Sequence, residues 1–238
     1  MIQTRSSVGS YSARNLGVER ARGEVLAFTD ADCVPDPSWL ESGLLRLEES
    51  RADLIAGHVD IPLGRRPSRV ALIDAALHMN QESYVRGFDF GATANLFVRR
   101  DAFERVGTFD GRLRSGGDRE FGNRAVRAGL QLEYAPDAIV THGARCAREL
   151  ARKGFRFGFA SIGKTRQAGV RIRPLWTQLG AWRPAKRPLQ PERVAARGYH
   201  MTRTDAFVVP LVHWMTYRLP MVLGSIAGTL AGWRADRR

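Results

Sequence analysis

The chain has 238 residues, 44% of them hydrophobic, which is enough for one sizeable domain or a domain with a tail. Its 37 Lys+Arg against 24 Asp+Glu leave a net charge of +13, a surplus that attracts nucleic acid, anionic lipid headgroups or phosphorylated small molecules without choosing among them. The two cysteines, Cys33 and Cys146, form no CxxC pair, which argues against a disulfide framework or a cysteine-rich zinc site and fits a reducing compartment.

The opening MIQTRSSVGSYSARN has no apolar core of the kind a signal peptide needs. Residues 10–22 place Ala13, Leu16, Val18 and Ala21 at roughly helical spacing, with Gly23 as a stop. EVLAFTD, residues 24–30, reads as a buried strand. Asp-Ala-Asp-Cys then leads past Pro35 and Pro37 into a helix, SWLESGLLRLEE, with Ser38 as its N-cap candidate. A second strand is expected over 52–61 and a helix around 68–81. GATANLFVRR, 91–100, is a third strand candidate, and GGDREFGNRAVRAGL opens with glycines and continues as a helix. LEYAPDAIVTHG, 132–143, reads as two short strands broken by Pro136.

Alternating strands and helices make residues 1–143 an α/β layer with a mixed sheet. Residues 144–205 read as a basic extension, with a helix from Arg145 and a proline-rich linker at 174–197. Residues 206–238 form an apolar tail in which 206–233 carry Arg218 as the only formal charge. That stretch is long enough to span a bilayer, but Pro210, His213, Arg218 and Pro220 interrupt it, so a re-entrant, interfacial or kinked segment is expected. Arg234, Arg237 and Arg238 supply a basic flank, which places the chain at the cytoplasmic face of a membrane.

Asp30-Ala31-Asp32 is the sharpest local feature. It stands at the carboxyl end of a strand, where ligands of open α/β sheets bind, and two carboxylates so spaced can share a divalent cation that holds a diphosphate. Taken alone, the same residues also read as a strand end and a turn cap. The stretch ARNLGVERARGEVLAFTDADCVPDPSWLE resembles the central block of the family 2 glycosyltransferases, enzymes of the GT-A fold. GATANLFVRRDAFERVGTFDGRLRSGGDREFGNRAVRAGLQLEYAPDAIVTH resembles the family's acceptor-side half, in the family's order and spacing.

The resemblance implies an inverting, non-processive transferase, since no QxxRW-like motif follows His142. It makes Asp32 a ligand of Mg²⁺ or Mn²⁺ on the donor diphosphate and sets Asp30 at the donor's ribose or the metal shell. Arg14 and Asn15 match the family's ARN and hold the donor site, the alternative being ordinary polar contacts on a helix face. Asp118 becomes the general base that takes the acceptor's proton, its competing role being a helix N-cap. Gly117 stands where the family often has Glu, so Glu120 is a second candidate for the base or for holding the acceptor. Arg124, at i+4 from Glu120, is either a donor-site residue or half of a surface ion pair. By the same resemblance His142 completes the metal shell or contacts the diphosphate, the alternative being a structural histidine. Gly91 and Asn95 match the family's Gly-x-x-x-Asn strand beside the acceptor, though a strand glycine also marks a bulge.

Family members usually open with a strand like VSVVIPTYN and a second strand ending in Asp-Asp-Gly-Ser, which bind the nucleoside base. Here the chain opens at the ARN helix, so roughly 50 residues of the fold are expected to be missing, about two α/β units. The partners implied are a nucleotide-sugar donor, a saccharide or lipid-linked acceptor and a membrane surface, with no nucleic acid. The rival reading is a non-catalytic basic module that binds membrane or nucleic acid, its carboxylates relics.

Overall fold

A computed structural model describes residues 9–167 and 202–235; the linker read at 174–197 lies outside them. The chain divides into two compact units, one of Met1–Pro62 with Met79–Gly143, the other of Leu63–His78 with Ala144–Arg238.

The first unit is built on a mixed five-stranded sheet. Its strands are β1 (Val25–Thr29), β2 (Cys33–Pro35), β3 (Leu54–Asp60), β4 (Asn95–Arg99) and β5 (Leu132–His142), in the order β1-β4-β3-β5-β2. Only β3 and β5 run parallel. Side chains alternate across a strand, so Leu54, Ala56, Leu96 and Val98 enter one core while Ile55, Val59 and Phe97 enter the other. Both faces are covered, which is why β3 and β4 read as nearly continuous apolar runs. The first core takes α1 (Ser10–Arg20), α5 (Arg100–Val106) and α6 (Gly117–Arg127). The second takes α2 (Trp39–Ser50), whose Gly43 lets the helix lie against the Phe97 ring.

Four local expectations are revised. Helix α1 ends at Arg20 rather than at Gly23, because Arg100 donates to the carbonyls of Ala21 and Gly23 and so satisfies the helix end without a left-handed glycine. The single helix expected over 68–81 is two, α3 (Arg69–Leu77), capped by Ser68, and α4 (Gln81–Phe88), capped by Asn80. Ser38 caps α2 by position alone; Asp36 accepts from its N–H and hydroxyl instead. Strand β2 has no apolar run to announce it and is held by pairing with β5.

The break expected at Pro136 is a bulge inside one strand. Gly57 pairs with Ala135 and His58 with Ile139, so residues 136–138 have no partner on β3. Proline has no N–H to give, and the gap is filled by a side chain. Asn95 Nδ2 donates to the carbonyls of His58 and Ala138, both at 2.8 Å, and its Oδ1 accepts from Trp39 Nε1 at 2.8 Å. A Cβ at Gly57 would collide with that amide, so only glycine leaves it room.

In the second unit Leu72, Ile73 and Ala76 of α3 pack with Leu150 of α7 (Ala147–Gln167) and Val209 of α8 (Arg203–His213). Asp74, fully buried, accepts from Arg145 N at 2.8 Å and from its guanidinium at 3.2 Å. Thr202 and Asp205 form a capping box at the start of α8. A π-helical turn, Trp214–Arg218, lies between Pro210 and Pro220 and leads into α9 (Leu219–Ala235). Gly154 and Gly158 of α7 meet the backbone of Tyr217 and Met221, and Gly224 meets that of Phe155, so the helices touch backbone to backbone. The stretch read as one apolar tail is thus three helical pieces, and among the described residues no helix is long and apolar enough to cross a membrane.

Asn95→Ala leaves an indole N–H and two carbonyls without partners inside the sheet. It is expected to lower unfolding stability by about 2–4 kcal/mol in urea denaturation followed by tryptophan fluorescence.

Candidate active site

The site grows from the turn after β1. Cys33 N donates to the Asp30 carbonyl at 3.0 Å, which folds Asp30-Ala31-Asp32 into a tight turn and turns the chain directly into β2. Cys33 pairs with His142 across β2 and β5, and this register seats Asp32 beside the imidazole. Asp32 Oδ2 lies 3.4 Å from His142 Nε2; the aspartate side chain is 72% exposed and that of the histidine 4%.

His142 Nδ1 is 2.6 Å from the carbonyl of Gly143, so Nδ1 carries the proton and donates it. In the neutral tautomer Nε2 then presents a lone pair toward the carboxylate. A buried imidazole lone pair facing a carboxylate oxygen is a donor set for a divalent cation, and cis ligands of an octahedral ion lie roughly 3 Å apart. Among the described residues no group of three or more His, Cys, Asp or Glu is so gathered.

The other carboxylates have partners of different kinds. Arg14 Nη2 meets Asp30 Oδ1 at 2.7 Å. Asn15 bonds the backbone of Phe109 in both directions, Nδ2 to the carbonyl at 2.7 Å and Oδ1 from the N–H at 3.0 Å. It fastens α1 to the 107–110 loop, which is the ordinary polar role. Asp118 is not the N-cap of α6: Gly116 caps it in the left-handed conformation and Asp118 lies in the first turn. Its Oδ1 instead accepts from the Tyr11 hydroxyl at 2.7 Å. Burial pushes the Tyr11 pKa well above that of a free tyrosine and the Asp118 charge adds to the rise, while the amides of Gly117 and Asp118 act weakly the other way.

The remaining residues singled out in the sequence have these surroundings. Arg124 pairs with both oxygens of Glu120, at 2.8 and 3.1 Å, and donates to the carbonyls of Val106, Gly107 and Thr108. Its five N–H groups are all committed, so it closes the end of α5 rather than reaching for a diphosphate. Glu120 is held by that fork through both of its oxygens. Asn95 has no exposed surface and serves the β-bulge, and Gly91 is buried, its missing Cβ leaving room for Ala56 and Leu96. Neither presents a polar group to an acceptor.

Tyr11 is the residue that sequence reasoning missed. Its signal was helical spacing: Tyr11 and Arg14 are at i and i+3 on α1, and the guanidinium lies 5.4 Å from the ring centroid.

The mixed sheet, with an Asp-x-Asp turn at the end of one strand and a histidine at the end of another, belongs to the GT-A type of glycosyltransferase fold. Residues 1–109 match the model described as Glycosyl transferase family 2. Glycosyltransferase AglE of Haloferax volcanii is 39% identical over 154 residues, 65% of this chain and 51% of that protein. Pre-mycofactocin glycosyltransferase of Mycobacterium tuberculosis is 31% identical over 169 residues, 65% of this chain and 35% of that protein. The chain thus spans about half or less of these relatives. Among solved structures, mannosyltransferase PcManGT from Pyrobaculum calidifontis shares the fold, with a TM-score of 0.56 at 16% identity over 96% of this chain and 68% of that one.

Arg124→Lys breaks the five-bond arrangement and is expected to lower stability by about 1–3 kcal/mol. Calorimetric affinity for UDP and GDP with Mn²⁺ should stay as in the wild type; a loss of nucleotide binding at unchanged stability would restore Arg124 to the donor site.

Proposed function

We propose that this protein transfers a sugar from a nucleoside diphosphate sugar to an acceptor hydroxyl, with inversion, at the Asp30–Asp32, His142 and Asp118 cluster. The observation that carries the reading is the pairing of Asp32 with His142 on one side of the turn and of Asp118 with Tyr11 close to Arg14 and Asp30. A bound Mg²⁺ or Mn²⁺, held by Asp32 and His142, would neutralise the charge of the diphosphate leaving group. The relatives named above are glycosyltransferases, and PcManGT was solved with GDP-Man and Mn²⁺, which supports the donor class and the metal.

The chain's own residues divide the work. Arg14 holds the Asp30 carboxylate in place, so the turn keeps its shape as the donor enters. Asp118 takes the proton of the attacking hydroxyl on Oδ2, since Oδ1 is held by Tyr11. One displacement at the anomeric carbon gives the inverted product.

Nucleoside diphosphate release is measured from GDP-mannose, UDP-glucose, UDP-N-acetylglucosamine and UDP-N-acetylgalactosamine with Mn²⁺ and with EDTA. Asp32→Asn should abolish the metal-dependent release while the fold survives. Asp118→Asn should lower it at least about 100-fold with donor affinity little changed. Near-normal release by either variant would refute the role given to that residue.

We further propose that the second unit brings the enzyme to the cytoplasmic face of a membrane, where the acceptor is a saccharide or lipid-linked saccharide. The favouring observation is a set of large apolar side chains left exposed there, Phe155, Phe157, Phe159, Leu211, Met215 and Leu223, in a chain of net charge +13. The protein should cosediment with vesicles containing phosphatidylglycerol, less at high salt, and Leu211→Ser/Met215→Ser should weaken that binding. Equal recovery in the supernatant with and without vesicles would exclude it.

A further inference from the structure

Tyr11 sits where two unrelated constraints meet. A Cβ built on Gly117 would fall 2.7–2.8 Å from three atoms of the Tyr11 ring, so the ring fills the space that any side chain at 117 would need. From that seat the hydroxyl reaches Asp118 Oδ1 at 2.7 Å across 107 positions of sequence. The ring is 6% exposed and packs 6.0 Å from Phe109, so it cannot swing away without opening the core. Arg14 lies over the same ring and holds Asp30.

We propose that Tyr11 is a positioning residue for the reaction: seated in the space left by Gly117, its hydroxyl fixes the Asp118 carboxylate by Oδ1 and aims Oδ2 at the acceptor. The proposal rests on the reading of Asp118 as the base. An aspartate in the first turn of a helix turns about two torsions, and one ordered donor selects a single arrangement of them. The ring alone would fill the core equally well as phenylalanine. The hydroxyl is therefore the group with a task beyond packing.

The test compares wild type, Tyr11→Phe, Asp118→Asn and the double variant in the 238-residue chain, on whichever of the four nucleotide sugars the wild type turns over with Mn²⁺. Tyr11→Phe should lower kcat about tenfold, the scale of one hydrogen bond to a charged group, and leave donor KM and the melting temperature near wild type. On the Asp118→Asn background it should cost nothing further, because there is no base left to aim. Unchanged kcat in Tyr11→Phe while Asp118→Asn is inactive would overturn the proposal and leave the transferase reading standing. Multiplicative losses in the double variant, or a fall in melting temperature and KM with kcat intact, would likewise overturn it, by showing a role independent of Asp118. Asp118→Asn as active as wild type would overturn both.

Discussion

The three residues of β5 that find no partner on β3 are the constraint around which the first unit is organised. A buried carbonyl without a donor costs about 1–3 kcal/mol, and Pro136 forbids the ordinary ladder at this point. Asn95 resolves it with one amide that serves β3, β5 and the indole of α2 at once. Because the bulge shifts the register, the second half of β5 runs on past the end of β3's first pairing and meets β2. That meeting sets His142 opposite Cys33, and so beside Asp32. The nearness of Asp32 to His142 follows from the pairing of β2 with β5.

The four acidic groups near the site are sorted by what holds them. Asp30 and Glu120 each meet a guanidinium, Asp32 meets an imidazole, and Asp118 meets a phenol. The guanidinium pairs are geometric fasteners: one fixes the turn, the other closes α5 against α6. Asp32 is mostly exposed and lies beside the buried imidazole of His142. Asp118 keeps one oxygen outside its hydrogen bond and so can take a proton. The same residue type thus carries three roles, and its neighbours decide which.

Much of this was legible in the sequence, because the relevant signals are local. The strand EVLAFTD, the helix after Pro37 and the amphipathic helix after Gly116 follow from apolar spacing and turn residues. The resemblance assigns Asp32 and His142 to one metal shell, and the sheet places them 3.4 Å apart. What escaped was long-range. Asn95 looked like a binding residue because, with Gly91, it matches the family's Gly-x-x-x-Asn strand, and nothing in its neighbourhood announces a bulge about forty positions away. Arg124 showed its i+4 partner but not the three carbonyls supplied by the α5 end. Tyr11 showed only a helical neighbour, and its hydroxyl partner lies 107 residues on. The division of the chain is of the same kind, since residues 63–78 belong to one unit with the C-terminal helices, far from them in sequence.

The direction of the Tyr11 hydrogen bond bears on the base proposed for the reaction. Burial and the Asp118 charge both hold the phenol in its protonated form, so the hydroxyl donates and never accepts a proton from the carboxylate. Arg14, over the ring, is a permanent cation and also cannot take one. The links from Asp118 through Tyr11 and Arg14 to Asp30 therefore transmit position and not charge. With Asp118 as the proposed base, a proton taken from the acceptor would rest on Oδ2 of this half-buried residue. A site built this way needs no internal proton relay. It needs one carboxylate held still, with a neutral donor on the oxygen that does not react.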